Sequence, residues 1–148
     1  MKVVVQRVKS SSVTVDGKLI NEIGVGFNLL VGINVNDSLD DVDYLVRKVV
    51  NLRVFDDENG VMNKSILDTP GAEILSISQF TLQADTKKGN RPSYINAMRG
   101  EEAKVLYQEF NKKLSEYVKT YDGVFGADMK VSILNDGPIT IIIDSKDK

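Results

Sequence analysis

Val131-Ser132-Ile133-Leu134-Asn135-Asp136-Gly137-Pro138-Ile139-Thr140-Ile141-Ile142-Ile143 sets two apolar runs on either side of a turn. Each run reads as a strand. Asn-Asp-Gly is turn chemistry, because Gly137 accepts positive φ without a Cβ penalty and Asn and Asp tolerate it better than most residues. Pro138 fixes its own φ, removes a backbone donor and stands where a cis peptide is permitted, as in about 5–6% of X-Pro bonds. The plain expectation is a closing β-hairpin, and it makes the chain's last element β.

Working outward, the same alternation and turn signals recur. Residues 2–9 read as a strand buried on both faces, since Val3-Val4-Val5 does not alternate. Val13 and Val15 continue it, and Asp16-Gly17 predicts a tight turn into Lys18-Leu19-Ile20. A further strand covers 27–33, completing a β-meander. Asn36-Asp37-Ser38 offers capping oxygens to a helix over 39–51, with Val42, Leu45, Val46, Val49 and Val50 on one face. Asp56-Asp57-Glu58-Asn59-Gly60 is acidic but lacks the spacing of a calcium loop and reads as a turn.

Glu73 to Leu82 reads as the central strand, which would point Ser78 and Thr81 to opposite faces unless it bends. A second helix is expected over 101–121 from the stripe Ala103, Leu106, Tyr107, Phe110, Leu114, Tyr117, Val118 and Tyr121. The order predicts one α+β domain spanning 1–148, mainly antiparallel sheet with two main helices. Two helices are few for so many apolar strands, so a sheet face is left to be buried against another sheet or a second copy.

Composition narrows the chemistry. The 148 residues contain no Cys and no His. Thiolate nucleophiles, Cys or His metal sites and the Ser-His-Asp triad are therefore excluded, leaving Ser, Thr, carboxylates, Lys, Arg, Tyr, backbone groups or the substrate itself. The apolar run at the start is short and interrupted by Arg7, unlike a signal peptide, and no stretch approaches a membrane span, so the expected address is the cytoplasm. Net charge is −2, giving no global field toward a long duplex. A local basic patch, Lys87-Lys88-Gly89-Asn90-Arg91 with Arg99 and Lys104 beyond it, has the charge to hold a few phosphates. No phosphate loop, dinucleotide fingerprint or paired-carboxylate spacing is present.

A second stretch gives the turn its meaning. Ser78-Gln79-Phe80-Thr81-Leu82 together with Asn135 to Thr140 resembles the two signature motifs of the D-aminoacyl-tRNA deacylase family. Gln6-Arg7, Leu52 to Phe55, Gly60 to Asn63, Arg91 to Tyr94 and Phe125 to Met129 extend the resemblance along the whole chain. Its visible departure is Ile139, where the family often has Val.

The resemblance implies a barrel-like homodimer of that family's fold. It implies hydrolysis of the ester between a D-amino acid and the terminal adenosine of tRNA, without metal or cofactor. Gly137-Pro138, as a cis peptide entering the partner's active site, would fix the α-ammonium with backbone carbonyls and exclude L side chains by overlap; glycyl-tRNA, having no side chain, would pass. Ser78, Gln79, Phe80 and Thr81 would form the hydrolytic side. Backbone amides near Phe80 and Thr81 would stabilise the oxyanion, the ribose 2′-hydroxyl would assist, and Thr81 would support the reaction. Arg7 would brace the partner's turn and Met129 line the adenosine pocket. The expected partners are the tRNA acceptor end and a second copy, with no membrane and no DNA. Two other readings stay open: a non-catalytic dimeric RNA-binding module, and a related deacylase of altered chirality with a trans Gly-Pro peptide.

Overall fold

The computed structural model describes residues 1–148. Its strands are β1 (Lys2–Val15), β2 (Lys18–Ile23), β3 (Gly26–Gly32), β4 (Phe55–Asp56), β5 (Met62–Lys64), β6 (Glu73–Ser78), β7 (Thr120–Asp122) and β8 (Lys130–Asp144), and its α-helices are α1 (Leu39–Asn51) and α2 (Gly100–Ser115). β1 organises the rest. One of its edges pairs with β3 through its first half and with β2 through its second, while the other edge pairs with β8 along both halves. β6 and β7 then add to β3 in parallel. The sheet is thus mixed: β1's three pairings are antiparallel, and the far side is parallel. Its two ends curl toward each other, and Asn21 Nδ2 on β2 donates to the Asp122 carbonyl on β7 at 2.6 Å, nearly closing the sheet.

Two cores follow from strand alternation. Val3 and Val5 of β1, Phe27, Leu29 and Val31 of β3 and Ile74 of β6 face α1 and α2. Val8, Val13, Ile23, Leu75 and Ile77 fill the inside of the curl. β6 is buried on both sides, so it carries an apolar run rather than an alternating one. Tyr107 of α2 joins it, donating from its phenol to the Ser76 carbonyl at 2.7 Å, and burial pushes that phenol up to about 12.

α1 begins and ends where its pattern predicts. The Asp40 amide donates to Ser38 Oγ at 3.3 Å, and the Ser38 amide donates to Asp41 Oδ2 at 2.9 Å, a reciprocal cap. Asp41 also accepts from Ser145 Oγ, which in turn accepts from the buried α-ammonium of Met1 at 2.8 Å. Burial raises the Asp41 carboxyl, but hydrogen bonds from Ser145, the Ser38 amide and Lys146 outweigh it and hold the group well below the usual carboxylate range.

Four expectations are corrected. The first three strands are not a β-meander, because β1 lies between β2 and β3 and pairs with both. The second helix stops at Ser115, and Thr120–Asp122 is a strand instead. The apolar stripe continues only because Val118 stays in the core and Tyr121 reaches the inside of the curl, while pairing with β6 claims the backbone. The central strand ends at Ser78, and Phe80–Gln83 is a 3₁₀ turn. The closing hairpin does not form: both apolar runs belong to β8 and pair with the single strand β1, on either side of a bulge.

Candidate active site

The bulge comes from a mismatch in count. Gln6 pairs with Thr140 and Val8 with Asn135, so Asp136 to Ile139 loop out opposite Arg7 alone. Asn135 staples the base of the loop, its Nδ2 donating to the Arg7 carbonyl at 3.0 Å and the Ile139 carbonyl at 2.9 Å. The Thr140 hydroxyl donates to Asn135 Oδ1 at 3.2 Å and fixes that amide's orientation. At the tip the Gly137-Pro138 peptide is cis, and both residues are exposed.

Gly137 adopts φ 120°, and an added Cβ would sit 2.8 Å from Ile139 Cγ1 and 3.2 Å from Arg7 Nη2. The loop is packed against itself, not merely flexible. Arg7 is buried beneath it, with Nη1 donating to the Val54 carbonyl at 2.7 Å and Nε 3.3 Å from Asp136 Oδ2. Its Nε lacks the alignment of a hydrogen bond to that carboxylate, so the contact is one of charge. Within one chain Arg7 thus lies against its own turn.

The second motif builds a concave site. β3 and β6 run parallel and end together, Val31 opposite Ser78, and the carboxyl ends of parallel strands are where such sheets open a crevice. Gln79 leaves the strand at φ −147°, ψ 84°, and the chain tightens into the 3₁₀ turn. Gly32 permits this, because a Cβ there would lie 2.7 Å from Leu82 Cβ and 3.0 Å from the Gln79 carbonyl oxygen. The resulting cleft holds about 360 Å³ and is walled by Val31, Ile77, Met98, Ala103, Phe125 and Met129, among others. Apolar walls with a few polar groups suit a small organic moiety.

Ser78, Gln79, Phe80 and Met129 all line this cleft. Ser78 Oγ donates to nothing in the chain, and as the opening amides of a 3₁₀ turn the Phe80 and Thr81 N–H groups have no acceptor within it. Thr81 itself does not line the cleft; its hydroxyl accepts from Gln79 Nε2 at 2.5 Å. Phe80 is 45% exposed, with Tyr94 edge-on at 5.1 Å and the Arg99 guanidinium 4.9 Å from its ring centre. Gly137, Pro138 and Arg7 are absent from the lining, so within one chain the two motifs are not brought together. Lys87, Lys88 and Arg91 are exposed, outside the cleft.

Of the other walls, Arg99 entered the reading as part of a basic patch and Phe125-Gly126-Ala127-Asp128-Met129 through the resemblance, whereas Met98 and Gly100 carried no functional signal.

Comparison with known proteins decides the family. The model for D-Tyr-tRNA(Tyr) deacylase matches residues 4–144. The chain belongs to that family. It is 59% identical to the D-aminoacyl-tRNA deacylase of Clostridium novyi (strain NT), over 99% of this chain and 98% of that one. Among solved structures it is similar to the c-Myc DNA unwinding element binding protein, at 46% identity and TM-score 0.92, over 97% of this chain and 98% of the other. A structure of a probable eukaryotic D-amino acid tRNA deacylase shares 15% identity at TM-score 0.81, covering 96% and 97% of the two chains, and speaks for the fold alone. The family is one of hydrolases, and the chain is an enzyme of that kind.

Proposed function

We propose that the chain hydrolyses the ester of D-aminoacyl-tRNA, and of glycyl-tRNA, while rejecting L-aminoacyl-tRNA, and that it does so as a homodimer. The observation that carries this reading is the separation of the two motifs: a receptive cleft at Ser78–Phe80 and a braced, protruding turn at Gly137-Pro138 of the same chain. Two copies make the pair complete when the turn of each enters the cleft of the other.

The face around the turn supports that arrangement. Leu134 and Ile142 flank it on β8 and are 58% and 65% exposed, and β8 pairs on one edge only. Apolar side chains beside an unpaired edge call for cover.

In the assembled site the ester carbonyl approaches the opening amides of the 3₁₀ turn, which donate to the oxygen as negative charge develops. The ribose 2′-hydroxyl of the terminal adenosine assists attack, since the chain supplies neither His nor Cys. The Gln79–Thr81 hydrogen bond gives Thr81 a supporting place and fixes the turn that carries the amides. Backbone groups of Gly137-Pro138 hold the α-ammonium and leave no space for an L side chain, a steric rejection blind to side-chain identity. Met129 and Phe125 line the adenosine side, and Lys87, Lys88 and Arg91 meet tRNA phosphates beyond it. Long duplex DNA is outside the proposal, because a net charge of −2 supplies little of the phosphate attraction that drives such binding. The proposed place of work is the cytoplasm, where aminoacyl-tRNA is consumed.

The deciding experiment is deacylation of matched D-Tyr-tRNA and L-Tyr-tRNA by catalytic amounts of protein, with EDTA present. Turnover of the D ester alone is expected. Loss of both esters would remove Gly137-Pro138 as the stereochemical gate. Loss of neither would overturn the reading in favour of an RNA-binding module.

A further inference from the structure

Only two residues lining the cleft carry charge, Arg99 and Asp128. They are not equivalent. Asp128 is paired at the surface with Lys130, whose Nζ lies 3.0 Å from its Oδ2. Arg99 has no carboxylate within ion-pair distance and donates no side-chain hydrogen bond, although Glu101 and Glu102 follow it directly. Its guanidinium lies over the Phe80 ring, whose edge contact with Tyr94 fixes the ring from another side. An aromatic surface holds a guanidinium in place without using its N–H donors. Arg99 is thus positioned, cationic, exposed and without a protein partner for its N–H groups, at a cleft of nucleoside size.

The chemistry of the substrate says what it meets. An amino acid esterified to ribose has no free α-carboxylate, and its α-ammonium is repelled by a guanidinium. The anions common to every aminoacylated RNA 3′ end are its phosphodiesters. We infer that Arg99 is a positioning residue that clamps the phosphodiester on the 5′ side of the terminal nucleoside, with Phe80 as its platform. This rests on the proposed deacylase reading and adds a direction to it. The ribose-phosphate chain leaves the cleft past Arg99, and the α-ammonium lies toward the opposite end, away from that charge. Phe80 then acts twice, giving an opening amide to the reacting end and its ring to the phosphate clamp.

The test compares two substrates that differ by that phosphate: D-Tyr-tRNA and 3′-O-(D-tyrosyl)adenosine. Both are hydrolysed by wild-type protein, Arg99→Gln and Arg99→Lys, with kcat and KM measured across a salt series. For Arg99→Gln the loss in kcat/KM on the tRNA ester should exceed the loss on the nucleoside ester by about tenfold, carried by KM, as expected for one charge-assisted bidentate contact. The slope of log(kcat/KM) against log salt should flatten by about 0.7 on tRNA, the value for one single-strand phosphate contact. Arg99→Lys should restore the salt slope and part of KM. Equal losses on both esters would overturn the inference, leaving Arg99 as a support for Phe80 alone. An unchanged KM for tRNA would overturn it as well. Inactivity of the wild type on both esters would instead remove the parent reading, and this one with it.

Discussion

The cleft at the end of β6 and the turn within β8 are made in opposite ways. The cleft is a place where regular structure stops: two parallel strands end together, a 3₁₀ turn closes one side, and apolar side chains leave space between them. The turn is a place where regular structure is interrupted and then resumes, with ladder on both sides, an amide staple at its base and a buried arginine beneath. One is concave and apolar; the other is convex, polar and self-supported. A cleft can adjust to what enters it. A braced protrusion keeps its shape, and shape is what the proposed steric filter needs.

The largest break in this comparison should come from Gly137→Ala. Its Cβ has no space between Ile139 and Arg7, and its φ is one that L residues resist. Displacing the tip should cost about 100-fold in kcat/KM on D-Tyr-tRNA, against about 1–3 kcal/mol of strain in urea unfolding. Filling the cleft with Ala127→Trp should silence the protein from the other side. Mixing the two silent variants after dissociation sharpens the comparison. Heterodimers would carry one site with both parts intact, and about a quarter of wild-type activity should return. No recovery from folded, exchanging mixtures would refute a site shared between copies.

A smaller effect is expected from Arg7→Ala, which leaves Asp136 without its counter-charge and empties the space under the turn. Because Asp136 and Asp56 are both partly exposed, the loss should be discounted from that of a buried pair to about 1–2 kcal/mol by urea midpoint. Activity should fall more than stability does. A variant that lost stability but kept full stereoselectivity would show that the turn holds its shape without the brace.

The smallest lies in the scaffold. Tyr107→Phe removes a hydrogen bond to the Ser76 carbonyl and should cost about 1 kcal/mol. The wild-type phenol, raised from 10.0 to about 12, favours the folded state fully below pH 10 and loses that contribution as pH rises toward 12. The variant's stability should therefore fall less steeply across that window, by urea titration at each pH. An identical alkaline slope would show that Tyr107 ionises in the folded protein as it does in the unfolded one.

What was legible in the sequence was whatever is decided locally. α1 combines a valine stripe with a reciprocal cap, and both act within a few residues, so its bounds could be read directly. The end of α2 could not. Tyr117, Val118 and Tyr121 keep helical spacing, yet the backbone from Thr120 is claimed by β6, over forty residues earlier in the chain. The turn at Gly137 failed for a related reason. Asn-Asp-Gly looks the same in a hairpin and in a bulge, and the choice rests with β1, at the far end of the sequence. In the site, Ser78 to Phe80 were found through resemblance, whereas the position of Arg99 depends on α2 placing its first turn beside Phe80. Neither spacing nor composition encodes that neighbourhood.

The pairing of β1 with β8 has a consequence in time. On a ribosome β1 is made first and β8 last of the strands, so one edge of a 14-residue strand waits while residues 16–129 are added. At about 5–20 residues per second that wait is on the order of ten seconds. Throughout it, a long ladder edge is open to any other strand. The bulge that shapes the turn does not exist until the final strand closes over Arg7. A nascent chain stalled before residue 130 would hold its cleft motif and lack the turn altogether.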